Sequence, residues 1–100
     1  MEDVIYYNEL FEIYADFLTE NERETFKDYY FEDLSLSEIA DNKNISRAAI
    51  QKTLKVVIKK LDDYEKSLHK YEMINSLKEV LLLNDVDSIK NRITEIIDKE

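Results

Sequence analysis

The 100-residue chain has no glycine, no proline, no cysteine and no tryptophan. An average chain of this length would carry about a dozen Gly and Pro together. Phosphate-cradling loops of the GxxxxGK[ST] or GxGxxG kind need backbone positions that only Gly fits, so nucleotide-binding enzymes of those families are excluded. Two-residue hairpins draw on Asn-Gly, Asp-Gly or Gly-X, and none is present, so the expected fold is all-α. Without Cys there is no disulfide, thiolate metal site or Cys nucleophile, and one histidine, His69, cannot build a His-rich centre. No metal and no cofactor are expected. Long hydrophobic runs are also missing: Val80–Leu83 is the longest aliphatic stretch, against the roughly 18 residues of a membrane span. The first residues, Met1-Glu2-Asp3, are acidic where a signal peptide would be basic, so the expected location is cytoplasmic.

What is present is charge, unevenly placed. Net charge is -9. Residues 1–41 hold 13 acids and 2 bases (Arg23 and Lys27), whereas residues 42–60 hold 6 bases and no acid. Residues 61–100 return to 10 acids against 6 bases. A cationic strip on an acidic body suits a weak polyanion-binding helix, and it is also what a plain solvated helix face looks like.

Apolar periodicity divides the chain into helices. Val4, Tyr7, Phe11, Tyr14 and Leu18 recur at spacings of 3 and 4, predicting a helix over 3–18. Thr19 with Glu22, and Ser35 with Glu38, read as capping boxes. The first opens a helix whose buried side is Phe26, Tyr29 and Tyr30, and the second a short helix, 36–42, facing inward with Leu36, Ile39 and Ala40. Ser46 then caps a long helix with an unbroken seam of Ile50, Leu54, Val57, Leu61, Tyr64, Leu68 and Tyr71. Over 46–71 that is a rod of roughly 39 Å. After Asn84-Asp85 a last helix, 86–98, carries Val86, Ile89, Ile93, Ile96 and Ile97.

The stretch Leu34-Ser-Leu-Ser-Glu-Ile-Ala-Asp-Asn-Lys-Asn-Ile-Ser-Arg-Ala-Ala-Ile50 outlines a helix-turn-helix. Ala40 sits where two helices approach closely. Asn44 takes the turn position that needs a left-handed backbone, which Asn tolerates better than most residues. Ile39, Ile45, Ile50 and Leu54 are the expected core between the helices.

Leu18-Thr-Glu-Asn-Glu-Arg23, Leu36-Ser-Glu-Ile-Ala40, Ile45-Ser-Arg47 and Lys60-Leu61 together resemble region 4 of bacterial sigma factors. Leu10-Phe-Glu-Ile-Tyr-Ala-Asp-Phe-Leu-Thr-Glu20, Tyr30-Phe-Glu-Asp-Leu-Ser-Leu36 and Asp63-Tyr-Glu-Lys-Ser-Leu-His69 more closely resemble the YlxM/p13 family (UPF0122), small sigma-region-4-like proteins of low-G+C bacteria. The resemblance implies a sigma-region-4-like helix-turn-helix bundle, of the winged-helix type without the wing, with a long recognition helix and a C-terminal helical extension. It also implies a regulatory or adaptor role in the signal recognition particle pathway, with the particle's proteins or RNA as partners. The expected organisation is a helix-turn-helix domain with its N-terminal helices over 1–61, and over 62–100 an extension of the same domain for packing or dimerisation.

In the sigma-like arrangement Arg47, Ala48, Ala49, Gln51, Lys52 and Lys55 would face a major groove. Gln51 suits adenine and Lys52 guanine, while Lys43, Arg47, Lys55 and Lys59 suit phosphates. The candidate nucleic-acid-binding set is therefore Lys43, Arg47, Gln51, Lys52, Lys55 and Lys59, with DNA or the particle RNA as the polyanion. A DNA-binding transcriptional regulator is the alternative to the adaptor reading. No aromatic stacking platform is expected, because the Tyr and Phe residues fall on inward faces. Acid pairs such as Glu32-Asp33 are neighbours that do not face one another on a helix, so no catalytic residue and no enzyme is expected. The seam beyond Leu61 needs a cover, either the N-terminal helix or a second copy, and with the last apolar stripe it points to a homodimer.

Overall fold

Side-chain caps open five of the six α-helices among the described residues. The structure is a computed structural model describing residues 3–99, which form six α-helices, one short 3₁₀ turn and no strand. The fold is all-α. Asp3 accepts a hydrogen bond from the Tyr6 amide at 3.1 Å and opens α1, Val4–Tyr14. The chain then tightens into a 3₁₀ turn over Ala15–Phe17. Thr19 starts α2 (Glu20–Tyr30) through a complete capping box: its Oγ1 accepts from the Glu22 amide at 3.1 Å, and Glu22 Oε1 accepts from the Thr19 amide at 2.8 Å. Ser35 and Glu38 repeat the device at 3.1 and 3.0 Å to start α3, Leu36–Lys43. Ser46 Oγ accepts from the Ala49 amide at 3.1 Å ahead of α4, Arg47–Leu68. The next helix, α5, spans Lys70–Val80. Asp85 accepts from the Ser88 amide at 2.9 Å and opens α6, Val86–Lys99. Each cap satisfies amides that the first turn of a helix leaves without partners.

The chain divides into two compact units, Met1–Ser67 and Leu68–Glu100. In the first, Phe11 of α1 stacks on Phe26 of α2 at 4.4 Å between centroids, with planes 5° apart. The same helix lies on α4 by way of its tyrosines. Tyr14 donates to Glu65 at 2.6 Å, Tyr7 donates to Asp62 at 3.1 Å, and Tyr64 of α4 donates to the Phe17 carbonyl at 3.2 Å. Leu10, Phe26, Ile39, Ile50, Val57 and Leu61 are fully buried in this unit. The Arg23 guanidinium donates to the carbonyls of Ala15 and Leu18, closing the passage from α1 to α2. In the second unit α5 and α6 pack on each other, burying Val80 and Ile96. Arg92 pairs with Glu79 at 3.4 Å, and Lys99 pairs with Glu72.

The structure departs from the periodicity at several points. The helix expected over 3–18 is shorter, and its buried stripe is centred on Leu10, with Val4 exposed. The rod expected over 46–71 ends at Leu68, because His69 takes a left-handed backbone at φ 54° and interrupts the hydrogen-bond ladder. Histidine is among the residues enriched in that conformation. The seam is buried through Leu61 and half-buried at Tyr64, whose ring lies 5.8 Å from that of Tyr14 on α1, and Leu68 is exposed.

Candidate nucleic-acid interface

The joint between α3 and α4 positions the exposed face of α4. Asn44 has φ 59° and ψ 42°, the left-handed conformation expected of it. Its amide donates to the Asp41 carbonyl at 3.3 Å, and the Ile45 amide donates to the Ala40 carbonyl at 3.0 Å, the pair of bonds that defines a Schellman closure. Ile39, Ala40, Ile50 and Leu54 form the core of the joint, with Tyr30, Leu34 and Leu36 against it. Ile45, expected in that core, is 46% exposed. The left-handed residue before it turns the chain outward, and Leu34 and Leu36 close the joint instead.

Of the six residues expected to meet nucleic acid, four stand free on α4. Arg47, Gln51 and Lys55 follow one another at four-residue intervals along an exposed row, and Lys52 is exposed beside them. Among the described residues no carboxylate pairs with Arg47, Lys52 or Lys55. The other two are engaged. Lys43 has a side chain only 19% exposed, with Nζ 3.2 Å from Glu24 and donating to Asn21 Oδ1 at 3.1 Å. Lys59 pairs with Asp63 one turn on at 2.9 Å. Lys60, the sixth base of the strip, reaches back to Glu22 of α2 at 2.7 Å. Acids from α2 and from later in α4 thus occupy half of the cationic strip.

The Glu22 carboxylate has an 11% exposed side chain and accepts from Lys60 and from the Thr19 amide. Burial pushes its pKa up, but the Lys60 and Thr19 hydrogen bonds and the Lys60 charge outweigh this and hold it below its ordinary 4.5. Lys60 is correspondingly raised above 10.5, chiefly by its hydrogen bond to Glu22. The pair fastens α2 to α4.

Tyr29 is the residue that periodicity misplaced. It was expected on the buried side of α2, yet it is 37% exposed, while Phe26 is fully buried and Tyr30 half-buried. Its ring meets Tyr30 edge to face at 5.0 Å. With Tyr30, Gln51 and Lys55 it lines an open concavity of about 140 Å³. Spacing from Phe26 puts Tyr30 inward at i+4 and leaves Tyr29 at the margin of a wide apolar stripe, where only packing decides.

Two capped helices joined by a left-handed turn, the second presenting a cationic face, define a helix-turn-helix protein. The chain belongs to the UPF0122 family, described as "Putative helix-turn-helix protein, YlxM / p13 like", whose profile matches residues 1–99. It is 39% identical over 89 residues to a UPF0122 protein of Fusobacterium nucleatum, covering 89% of this chain and 86% of the relative. A UPF0122 protein of Mycoplasma capricolum is 40% identical over 90 residues, 87% of this chain and 80% of its own length. The UPF0122 protein YofM of Lactococcus lactis is 42% identical over 78 residues, 75% and 70% of the two chains. No helix among the described residues is long and apolar enough to cross a membrane.

Proposed function

We propose that the protein is a non-enzymatic regulatory or adaptor module that takes a nucleic-acid backbone on the free face of α4. The observation that carries this reading is the row Arg47, Gln51 and Lys55 with Lys52 beside it, exposed and without intramolecular carboxylate partners among the described residues. Three free cations and one amide are a lean set: all three cations can hold phosphates, and base edges are left to Gln51 and, only in exchange for its phosphate, Lys52. Binding is accordingly weak, weakly sequence-dependent and salt-sensitive. On duplex DNA the slope of log K against log salt is expected near −2.7 per bound protomer, from three phosphate contacts at about 0.9 each. A slope about twice as steep per protomer would mean that Lys43, Lys59 and Lys60 leave their acid partners for phosphates.

The resemblance to the YlxM/p13 family favours the signal recognition particle pathway over promoter control as the setting, with the particle's RNA and proteins as partners in the cytoplasm. Pulldown against the particle's protein and RNA tests it. Recovery of neither, together with specific retention of a promoter fragment, would turn the reading into a DNA-binding transcriptional regulator.

The reading includes a homodimer through residues after about 61. Leu68, Leu81, Leu82, Val86 and Ile97 are exposed in the second unit, and covering such side chains is what a second copy would supply. Sedimentation at tens of micromolar is expected to give about 24 kDa, twice the chain's 12.0 kDa, falling to the monomer on Leu68→Asp or Ile93→Asp. A mass near 12 kDa for the unaltered protein sinks the dimer.

A further inference from the structure

The exposed tyrosine beside the cationic row has a chemistry that phosphate contacts leave unused. Tyr29 projects at the end of α2, and the concavity it shares with Gln51 and Lys55 is floored by Leu36, Leu54 and Ile58. Its ring is held from behind. Tyr30 meets it edge to face, and Tyr30 in turn lies 4.5 Å from the fully buried ring of Phe26. A ring supported in this way loses little freedom on stacking against a ligand. Tyr29 also borders a second depression lined by Asp33, Ser35 and Glu38, where the Asp33 and Glu38 carboxylates repel phosphate. An anionic strand is therefore steered to the Lys55 side.

We infer that Tyr29 is the stacking platform of a site for one unpaired nucleobase, with Gln51 hydrogen-bonding the base edge and Lys55 holding the adjoining phosphate. The inference rests on the nucleic-acid reading of α4 and narrows it to strands with an unstacked base, in a loop, a bulge or a single strand. Duplex DNA shows only base edges in its grooves, and its π-faces are closed by neighbouring bases. An aromatic ring beside a cation and an amide is suited instead to splayed bases. This also revises the expectation that no stacking platform exists. That expectation placed Tyr29 inside.

The experiment uses the full-length protein and an RNA stem-loop with one loop base replaced by 2-aminopurine. Its comparators are the same loop in DNA and the fully paired stem. Affinity is followed by anisotropy and stacking by 2-aminopurine fluorescence. The stem-loop is expected to bind more tightly than the paired stem, with quenching of the loop fluorophore. Tyr29→Ala is expected to lose about five- to 150-fold in stem-loop affinity, together with the quenching, and to leave affinity for the paired stem unchanged. Tyr29→Phe keeps the ring and should stay within about threefold. Equal behaviour of the RNA and DNA loops supports a site that reads the base and not the sugar. Stem-loop binding without quenching, or unmoved by Tyr29→Ala, overturns the stacking site and leaves the nucleic-acid reading of α4 standing. Failure of the unaltered protein to bind any of the three at low salt overturns both.

Discussion

Glu22→Ala is expected to lower the melting temperature by about 10–20 °C, the largest effect of any single polar substitution considered. Glu22 performs two tasks with one carboxylate: it completes the capping box of α2 through the Thr19 amide and pairs with Lys60 of α4. Loss of the acceptor for the Thr19 amide, with the Thr19 hydroxyl cap left in place, costs up to about 1 kcal/mol. Breaking a buried ion pair costs about 3–5 kcal/mol, and since the Lys60 side chain is 37% exposed this contact belongs well below that range. A total of about 2–3 kcal/mol, at roughly 4–8 °C per kcal/mol for a domain of this size, gives the expected shift. Glu22→Gln keeps the cap acceptor and loses only the ionic part, so its shift is smaller. The same carboxylate sets an acid limb. Its folded pKa lies below the ordinary 4.5, so the unfolded chain binds the proton more readily. This contribution is fully present above about pH 4.5 and is lost as pH falls through the lowered folded value. Lys60, raised above 10.5, contributes below that pH and loses its share as pH rises through the raised value. Thermal melts of the two variants and the unaltered protein across pH measure both. A shift under about 3 °C for Glu22→Ala would show that the pair holds nothing together.

The double reversal Lys52→Glu with Lys55→Glu is expected to weaken nucleic-acid binding by at least about 100-fold at 50 mM salt. Each phosphate contact contributes close to 0.9 decades of affinity per decade of salt, so removing two at that concentration removes roughly two decades before any repulsion is counted. Both lysines are exposed, and neither makes an ion pair among the described residues, so the fold should not notice. The informative control is Lys59→Ala. Lys59 lies on the same helix but is already engaged by Asp63, and its loss is expected to change affinity less than about threefold. Gel shift or anisotropy on one duplex and one stem-loop, at two salt concentrations, reads all of these. Unchanged binding by the double variant would remove α4 from the interface.

Charge counting alone would have given this face twice its free cations. The strip from 42 to 60 has six bases and no acid in sequence, yet Lys43, Lys59 and Lys60 are each met by a carboxylate, two of them on α2. Only the Lys59–Asp63 contact, at i,i+4, was readable along the chain. The other two depend on residues 19 and 38 positions away.

What the sequence determined by itself lies within about four residues of its cause. Thr19 with Glu22, Ser35 with Glu38, Ser46 and Asp85 start their helices, and Asn44 turns left-handed between α3 and α4. Caps and turns are local competitions for backbone hydrogen bonds, so the residues that win them are visible in any short window. The all-α class and the helix-turn-helix follow from these signals and the apolar period. The tertiary structure decided the rest. It set Tyr29 at the rim of a concavity. It also chose which lysines stay free. A wide apolar stripe has margins, and whether a marginal side chain is buried depends on the helix that packs there, which no local window contains. The partner of a long charged side chain is likewise set by which acid the fold brings within 4 Å, and that proximity is a property of the packed chain.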